Sequence, residues 1–279
     1  MPINDTYVVP EHVVNFLCEG HRSFLALRAI HGLLYAMDTA LRGKMQLVPS
    51  QFPRVHSVRT SILAEAVGPA RSKDNRWLHA ACDELNDQNI LRISMIEGRA
   101  FRFQLDKRFS DAFARKTSAF AIMRTDQVRQ CRTLHDLMFL SLACLHGGKN
   151  HPRFLLPRIP VPPEQKPVQW TLLPKSATNQ DQWRVSWSKS SRSWVNATVR
   201  TSQILDQSYL IAPRQDMIDD RVTEVAVKIQ SQTTQWERGK LYKFPPGTRG
   251  VVEIPRGLGT KRTLNAQTLQ NKWHQTAVQ

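Results

Sequence analysis

Residues 72–105 combine an amphipathic helix with a short hairpin, and this pair of elements limits the possible folds more than any other feature. Leu91–Met95 alternates apolar and polar side chains, and so does Ala100–Leu105. Such alternation is typical of half-buried strands. Between them lies Ile96–Arg99, in which Gly98 permits the tight backbone of a short hairpin turn. A β-hairpin is therefore predicted directly after a helix.

Three amphipathic helices are predicted ahead of this hairpin. The first begins at Phe24, has Ser23 as its N-cap and ends near Gly43. The second is Thr60–Gly68, and the third begins at Ser72. The third helix has an apolar stripe made of Trp77, Leu78, Ala81, Cys82 and Leu85. Three helices followed by a hairpin is the layout of a winged helix, in which the start of the last helix reaches base edges.

Basic and polar residues at the start of the third helix and at the hairpin tip are candidate DNA contacts. They are Arg71, Lys73, Asn75, Arg76 and Arg99. From the wing tip, Arg99 would meet a phosphate or the minor groove. The same helix also carries three carboxylates, at Asp83, Glu84 and Asp87. Both interpretations of this segment, DNA contact and protein contact, stay open.

A second helix followed by a hairpin is predicted in the other half of the chain. The helix begins near Ser190 and ends at Leu205, and strands are predicted at Tyr209–Ala212 and Val222–Ile229. The ends of the two helices, at Leu85 and Leu205, are 120 residues apart. This spacing indicates a weak internal repeat.

The second helix is the more positive of the two. Arg192 and Asn196 are expected to bond guanine and adenine edges in the major groove. Lys189 and Arg200 are expected to hold phosphates. The alternative is a solvated helix face that makes only phosphate contacts or no DNA contact.

The remaining segments complete a predicted domain plan. Residues 106–148 have a mostly helical pattern, with the most apolar helix at Thr133–Leu145, and the proline-rich residues 152–174 form loop or edge strand. The plan consists of an N-terminal arm at 1–19, a first winged-helix domain at 20–125, a second at 126–240, and a basic, partly disordered tail at 241–279. Lys261 and Arg262 in the tail are candidate DNA contacts.

The charge of the chain points to nucleic acid. Its formal net charge is +16. Residues 1–148 carry +5, residues 149–214 carry +7, residues 215–239 carry −2, and residues 240–279 carry +6. Clustered positive charge is the electrostatic footprint of a nucleic-acid binder. The second helix and the tail are therefore the expected DNA face, and the first unit is the better candidate for protein contacts.

Several function classes lack any signal in the sequence. No P-loop, G-x-S-x-G or H-E-x-x-H motif occurs, so no enzyme, catalytic residue, metal ligand or cofactor is expected. No apolar run reaches the length of a membrane span, and the N-terminus does not resemble a signal peptide. The four scattered cysteines fit a reducing cytoplasm, which is the expected location.

The two helix–hairpin units resemble the plasmid replication initiators of the Rep family. The segments that carry the resemblance are Thr60–Gly68, Ser72–Leu105, Thr133–Leu145 and Ser190–Ile229. The resemblance implies recognition of repeated origin sites, with the C-terminal unit in the major groove. It also implies an N-terminal unit that supports dimerisation or contacts neighbouring DNA, and recruitment of host replication proteins.

These observations predict an α+β, predominantly helical protein with two winged-helix domains in tandem and a basic C-terminal tail. Its expected function is sequence-specific binding of double-stranded DNA as a plasmid-type replication initiator. The expected partners are double-stranded DNA, a second copy of the chain and host replication proteins, with no membrane. The alternatives are a transcriptional regulator on the same scaffold and a winged-helix module that binds proteins.

Overall fold

The structure is a computed structural model of the 279-residue chain. It describes residues 5–19, 22–40, 54–69, 75–114, 119–149, 152–157, 171–174, 183–186, 189–215, 222–230 and 252–254. The chain divides into two compact units, residues 1–145 and 146–279. The predicted domain limits, 20–125 and 126–240, stay a prediction.

The first unit mixes helices with two small antiparallel sheets. Its described elements are β1 (Thr6–Pro10), α1 (Glu11–Glu19), α2 (Phe24–Ala40), β2 (His56–Arg59), α3 (Thr60–Val67), α4 (Arg76–Asp87), β3 (Leu91–Glu97), β4 (Ala100–Leu105), α5 (Lys107–Ala114), β5 (Phe120–Arg124), α6 (Thr125–Gln130) and α7 (Leu134–Gly147). Strand β1 pairs with β5, and β2, β4 and β3 form a sheet in that order. The predicted order of three helices and a hairpin is confirmed, with β2 added to the hairpin.

Helix α2 is the centre of the first unit and is buried on nearly every side. Ser23 is its N-cap, as predicted, because the Ala26 N–H donates to the Ser23 hydroxyl at 3.1 Å. The Ser23 N–H donates to Glu84 Oε1 of α4 at 2.6 Å, so a second helix completes the cap. The Glu84 carboxylate therefore has a structural partner inside the first unit.

A close approach at Gly32 joins α2 to α3. A Cβ atom at position 32 would lie 2.6 Å from Val67 Cγ2 and 3.4 Å from Leu63 Cδ2. Val67 is buried and β-branched, so its side chain has little freedom to move aside. Glycine at position 32 therefore sets the distance between the two helices.

Arg28 ties the ends of two further helices to α2. Its Nη2 donates to the Gly68 carbonyl at 3.5 Å and to the Arg129 carbonyl at 3.4 Å. These carbonyls lie at the C-terminal ends of α3 and α6, where a cation is favoured. The guanidinium also lies over the Phe24 ring, 5.1 Å from its centroid, and burial lowers the pKa of Arg28. Arg28 thus holds α2, α3 and α6 together.

A buried hydrogen-bond chain links β1, α2 and α7. The Tyr7 hydroxyl lies 2.8 Å from His31 Nδ1, and the Ser141 hydroxyl lies 3.3 Å from His31 Nε2. Ser141 donates its own proton to the Leu137 carbonyl at 2.8 Å. We therefore assign the His31 proton to Nε2, which leaves Nδ1 to accept from Tyr7. Burial lowers the pKa of His31 to about 3, so its ring is neutral at pH 7.

Two segments of the first unit differ from the sequence prediction. Residues 6–19, expected to belong to an N-terminal arm, form β1 and α1, and Tyr7, Val9 and Val13 are buried. Residues 120–124, within a stretch predicted as mostly helical, form β5. The cause is the pairing of β1 with β5, which lie far apart in the sequence. Local periodicity does not report such pairing.

The second unit contains one long described helix and short strands. Its described elements are β6 (Arg153–Leu155), β7 (Thr171–Pro174), β8 (Trp183–Ser186), α8 (Lys189–Leu205), β9 (Ser208–Gln215), β10 (Val222–Gln230) and β11 (Val252–Ile254). One sheet has the order β11, β9, β10, β6, and β7 pairs with β8. The predicted helix and hairpin are confirmed. Residues 252–254 of the predicted tail lie in the sheet beside β9.

The two helix–hairpin units match at an offset of 117 residues rather than 120. Trp77 and Trp194 are both 7 % exposed on the buried sides of their helices. Asn89 and Asp206 both have φ of 53°, and they are the second residue after α4 and the first residue after α8. The next N–H donates back to Leu85 in α4 and to Ser202 in α8, as in a Schellman motif. Ser202, and not Leu205, is therefore the counterpart of Leu85.

We expect Gly32→Ala to lower the free energy of unfolding by about 1–2 kcal/mol. Overpacking against Val67 outweighs the better helix propensity of alanine. Urea denaturation measures the change, with Gly148→Ala as the control, because a Cβ atom at position 148 meets nothing within 4 Å. The double variant with Gly32→Ala and Val67→Ala should lose less free energy of unfolding than the sum of the losses in the two single variants. Equal losses at positions 32 and 148 would contradict this account.

The stability of the protein is expected to fall on acidification through the neutral His31. Its pKa is about 3 in the folded state against 6.5 ordinarily, so between these values only the unfolded chain binds the proton. The free energy of unfolding should therefore fall by roughly 1 kcal/mol per pH unit as the pH drops from 6.5 towards 3, and be retained above 6.5. Urea denaturation of His31→Gln, compared with the exposed control His79→Gln, measures this slope. Parallel pH profiles for wild type and His31→Gln would refute it.

Candidate nucleic-acid interface

Helix α4 has a polar face on the side opposite its buried stripe. The buried residues are those that the sequence predicts, Trp77, Leu78, Ala81, Cys82 and Leu85. The exposed face carries Arg76, His79, Asp83 and Asp87. Of the predicted contacts, Arg76 is exposed, and Asn75 is half-buried at the N-cap, where its side chain makes no capping bond. Arg71 and Lys73 lie outside the described residues.

The tip of the β3–β4 hairpin is short and attached to α3. Gly98 has φ of +60°, whereas Arg99 does not have a positive φ, as in a type II′ turn. The Thr60 N–H, at the start of α3, donates to the Arg99 carbonyl at 2.9 Å. The Thr60 hydroxyl lies 3.4 Å from the same oxygen. The exposed Arg99 side chain therefore projects from a backbone that is held at its tip.

The outer face of the β2–β4–β3 sheet carries cationic residues that the sequence did not place among the candidate DNA contacts. Arg59 precedes α3 in an extended conformation and pairs with Ala100, and its side chain is exposed. Arg102 is exposed and forms an ion pair with Glu97 at 3.3 Å, which offsets part of its charge. The alternation of β4 already indicated the outward position of Arg102. Nothing local indicated Arg59, because β2 becomes a strand only by pairing with β4.

Helix α8, like α4, has one buried side and an opposite side that faces outward. Its buried side consists of Trp194, Ala197, Thr198, Thr201 and Ser202. Asn196 is exposed and Arg200 is half-buried. Positions 189, 192, 196 and 200 recur at intervals of three or four, so the helix backbone places them along the side opposite the buried residues. The side chains of Lys189 and Arg192 lie outside the described residues.

One further residue joins the outward side of α8. Gln203 lies seven positions after Asn196, which is nearly two helical turns, and it is half-buried. A helical count from Asn196 would have found it. The tail candidates Lys261 and Arg262 lie outside the described residues.

Potential metal ligands and thiols are the reactive groups that the described residues could offer. Among them, no group of three or more His, Cys, Asp and Glu side chains could hold a metal ion. Burial raises the pKa of Cys18, Cys82 and Cys144 to about 12, so these thiols are protonated at neutral pH and are poor nucleophiles. None of the helices in the described ranges is long and apolar enough to cross a bilayer.

Comparison with known proteins yields a match to solved structures. No protein-family model matches the chain, and no curated protein matches it. A crystal structure of the Pi initiator protein in complex with iteron DNA superimposes with a TM-score of 0.53 and 11 % sequence identity, covering 83 % of this chain and 100 % of that one. The chain has the fold of the Pi initiator protein. The resemblance to plasmid replication initiators is thereby confirmed at the level of the fold.

The tip of the β3–β4 hairpin should respond differently to changes in its backbone and in its side chain. We expect Gly98→Ala to lower the free energy of unfolding by about 1–2 kcal/mol, because its φ of +60° strains an L-residue although the surrounding space is open. Arg99→Ala removes an exposed side chain and should leave the stability within about 0.5 kcal/mol of wild type. Thermal and urea unfolding of both variants test this contrast. An unchanged free energy of unfolding in Gly98→Ala would show that a side chain at this position does not strain the turn.

Proposed function

We propose that this protein is a sequence-specific double-stranded DNA-binding protein that acts as a plasmid-type replication initiator on repeated origin sites. The observation that carries the proposal is the fold shared with the Pi initiator protein over 83 % of the chain, since that structure contains iteron DNA. The net charge of +16 favours a polyanionic partner. The protein is proposed to act without enzymatic chemistry and without a cofactor.

Each unit is proposed to be a winged helix. In the first unit, α4 is followed by the β3–β4 hairpin, and β2 pairs with β4. In the second unit, α8 is followed by the β9–β10 hairpin. The helix before the hairpin is the element that enters the major groove in such domains. We assign this role first to α8, whose described outward side carries no carboxylate.

The contacts divide into base recognition and phosphate binding. Arg192 and Asn196 are proposed to bond base edges from α8. Lys189 and Arg200 are proposed to bind phosphates, as are Lys261 and Arg262 in the tail. In the first unit, the Thr60 N–H holds the tip of the proposed wing. This supports Arg99 as a contact to the DNA backbone or to the minor groove. Self-association and contacts with host replication proteins are proposed as further partners.

DNA binding is expected to be specific and strongly dependent on salt. Sites are selected from random duplex with the full chain, and affinity is then measured over a salt series. Six phosphate contacts would give a slope of about −5 in log K against log salt, because each contributes about −0.9. Repeated direct sites beside the coding region favour an initiator, and a single palindrome over a promoter favours a transcriptional regulator. Absence of binding at low salt would refute the proposed function.

Variants of α8 are expected to separate base recognition from phosphate binding. Arg192→Ala should weaken binding to the selected site by about 1–3 kcal/mol and relax the preference at one base pair. Lys189→Ala should weaken binding to all sequences alike and reduce the salt slope by about 1. Lys107→Ala on α5 serves as the control. If Arg192→Ala weakened binding to every sequence equally, Arg192 would be a phosphate contact.

A further inference from the structure

Asp83 lies at the middle of the outward face of α4. With 100° between successive residues, it is about 170° from the centre of the buried stripe. Arg76 and Asp87 lie on the same side, within about 40° of it, and all three are exposed. A helix that enters a groove with its buried stripe against the core would therefore point Asp83 toward the bases.

The carboxylate of Asp83 differs from that of its neighbour Glu84 in having no structural task. Glu84 accepts from the Ser23 N–H at 2.6 Å and from Gln88 Nε2 at 3.1 Å. Within the described part of the chain, Asp83 makes no hydrogen bond and no ion pair. Packing and capping in the first unit thus do not explain an acid at this position.

A carboxylate can contribute to base recognition by accepting a hydrogen bond from a base. It repels phosphates, and it accepts hydrogen bonds but donates none. In the major groove, the donors are the exocyclic amino groups of cytosine and adenine, whereas guanine and thymine present acceptors at the corresponding positions. An acid at the centre of a groove-facing helix therefore favours cytosine or adenine and disfavours guanine and thymine.

We propose that Asp83 is a specificity-determining residue of the first unit, which accepts a hydrogen bond from the exocyclic amino group of a base, with cytosine as the expected base. This inference rests on the proposed DNA-binding function. Arg76, nearly two turns earlier on the same side of α4, and Arg99 at the wing tip supply the positive charge that brings this acidic helix to the duplex.

The offset of 117 residues identifies which residues of α8 correspond to the outward residues of α4. At this offset, the counterpart of Asp83 is Arg200, and the counterpart of His79 is Asn196. A carboxylate and a guanidinium at matching backbone positions have opposite hydrogen-bonding capacity. The two units are therefore expected to present different hydrogen-bonding groups to DNA at this matching position.

The test compares Asp83→Ala and Asp83→Asn with wild type on the selected site and on its single-base variants. Both are exposed substitutions, and urea denaturation verifies that they fold. Asp83→Ala should bind the selected site about ten- to hundred-fold more weakly and accept other base pairs at one position. Asp83→Asn should prefer adenine there, because an amide bonds adenine in a bidentate manner. If adenine already occupies that position in the wild-type site, adenine and not cytosine is the bonded base.

The matched control is Asp111→Ala on α5, which removes an exposed carboxylate outside α4. Removing a carboxylate that only repels DNA should raise the affinity for all sequences slightly and leave base preference unchanged. The same result for Asp83→Ala would overturn the proposal and indicate that α4 faces a protein rather than a groove. Failure of the wild-type chain to bind DNA is a separate outcome that overturns the proposed function and this inference with it.

Discussion

The close approach of α2 and α3 at Gly32 is the constraint on which the arrangement of the first unit depends. The missing side chain at position 32 lets Val67 lie against the α2 backbone, and Arg28 holds the C-terminal end of α3 to the same helix. The other end of α3 holds the tip of the β3–β4 hairpin, because the Thr60 N–H bonds the Arg99 carbonyl. The hairpin tip is thus bonded to α3, in addition to the direct contact that Phe101 and Phe103 of β4 make with the core.

Polar groups in the interior of the first unit make the packing specific rather than merely compact. His31 is fully buried, yet Tyr7 and Ser141 satisfy both of its ring nitrogens. Glu84 bridges α4 to the start of α2, although on sequence grounds it looked like an unfavourable charge on a DNA-binding helix. Leaving the buried bonds of His31 unmade would be costly, and the exposed bond between Glu84 and Ser23 fixes α4 against the start of α2. They therefore define how α4 is held, and which of its carboxylates are left for a partner.

The two units show how a common architecture carries different surfaces. Both have a tryptophan early in the helix, a left-handed residue after it and a strand that begins two residues later. Their outward positions differ, since α4 presents Asp83 where α8 presents Arg200. Backbone motifs are thus shared, while the side chains at matching outward positions differ in charge. This division agrees with the general rule that one fold can carry different functional sites.

The sequence by itself determined the local elements of this protein. The period of the apolar residues located α2, α3, α4 and α8, and the alternation around Gly98 located a hairpin, because these signals arise from neighbours along the chain. Its charge distribution also indicated α8 as the more positive helix. Only the tertiary structure decided the pairing of β1 with β5, the addition of β2 to the hairpin and the partners of His31 and Glu84. These contacts join residues far apart in the sequence, and a one-dimensional pattern carries no information on which distant segment will supply the partner.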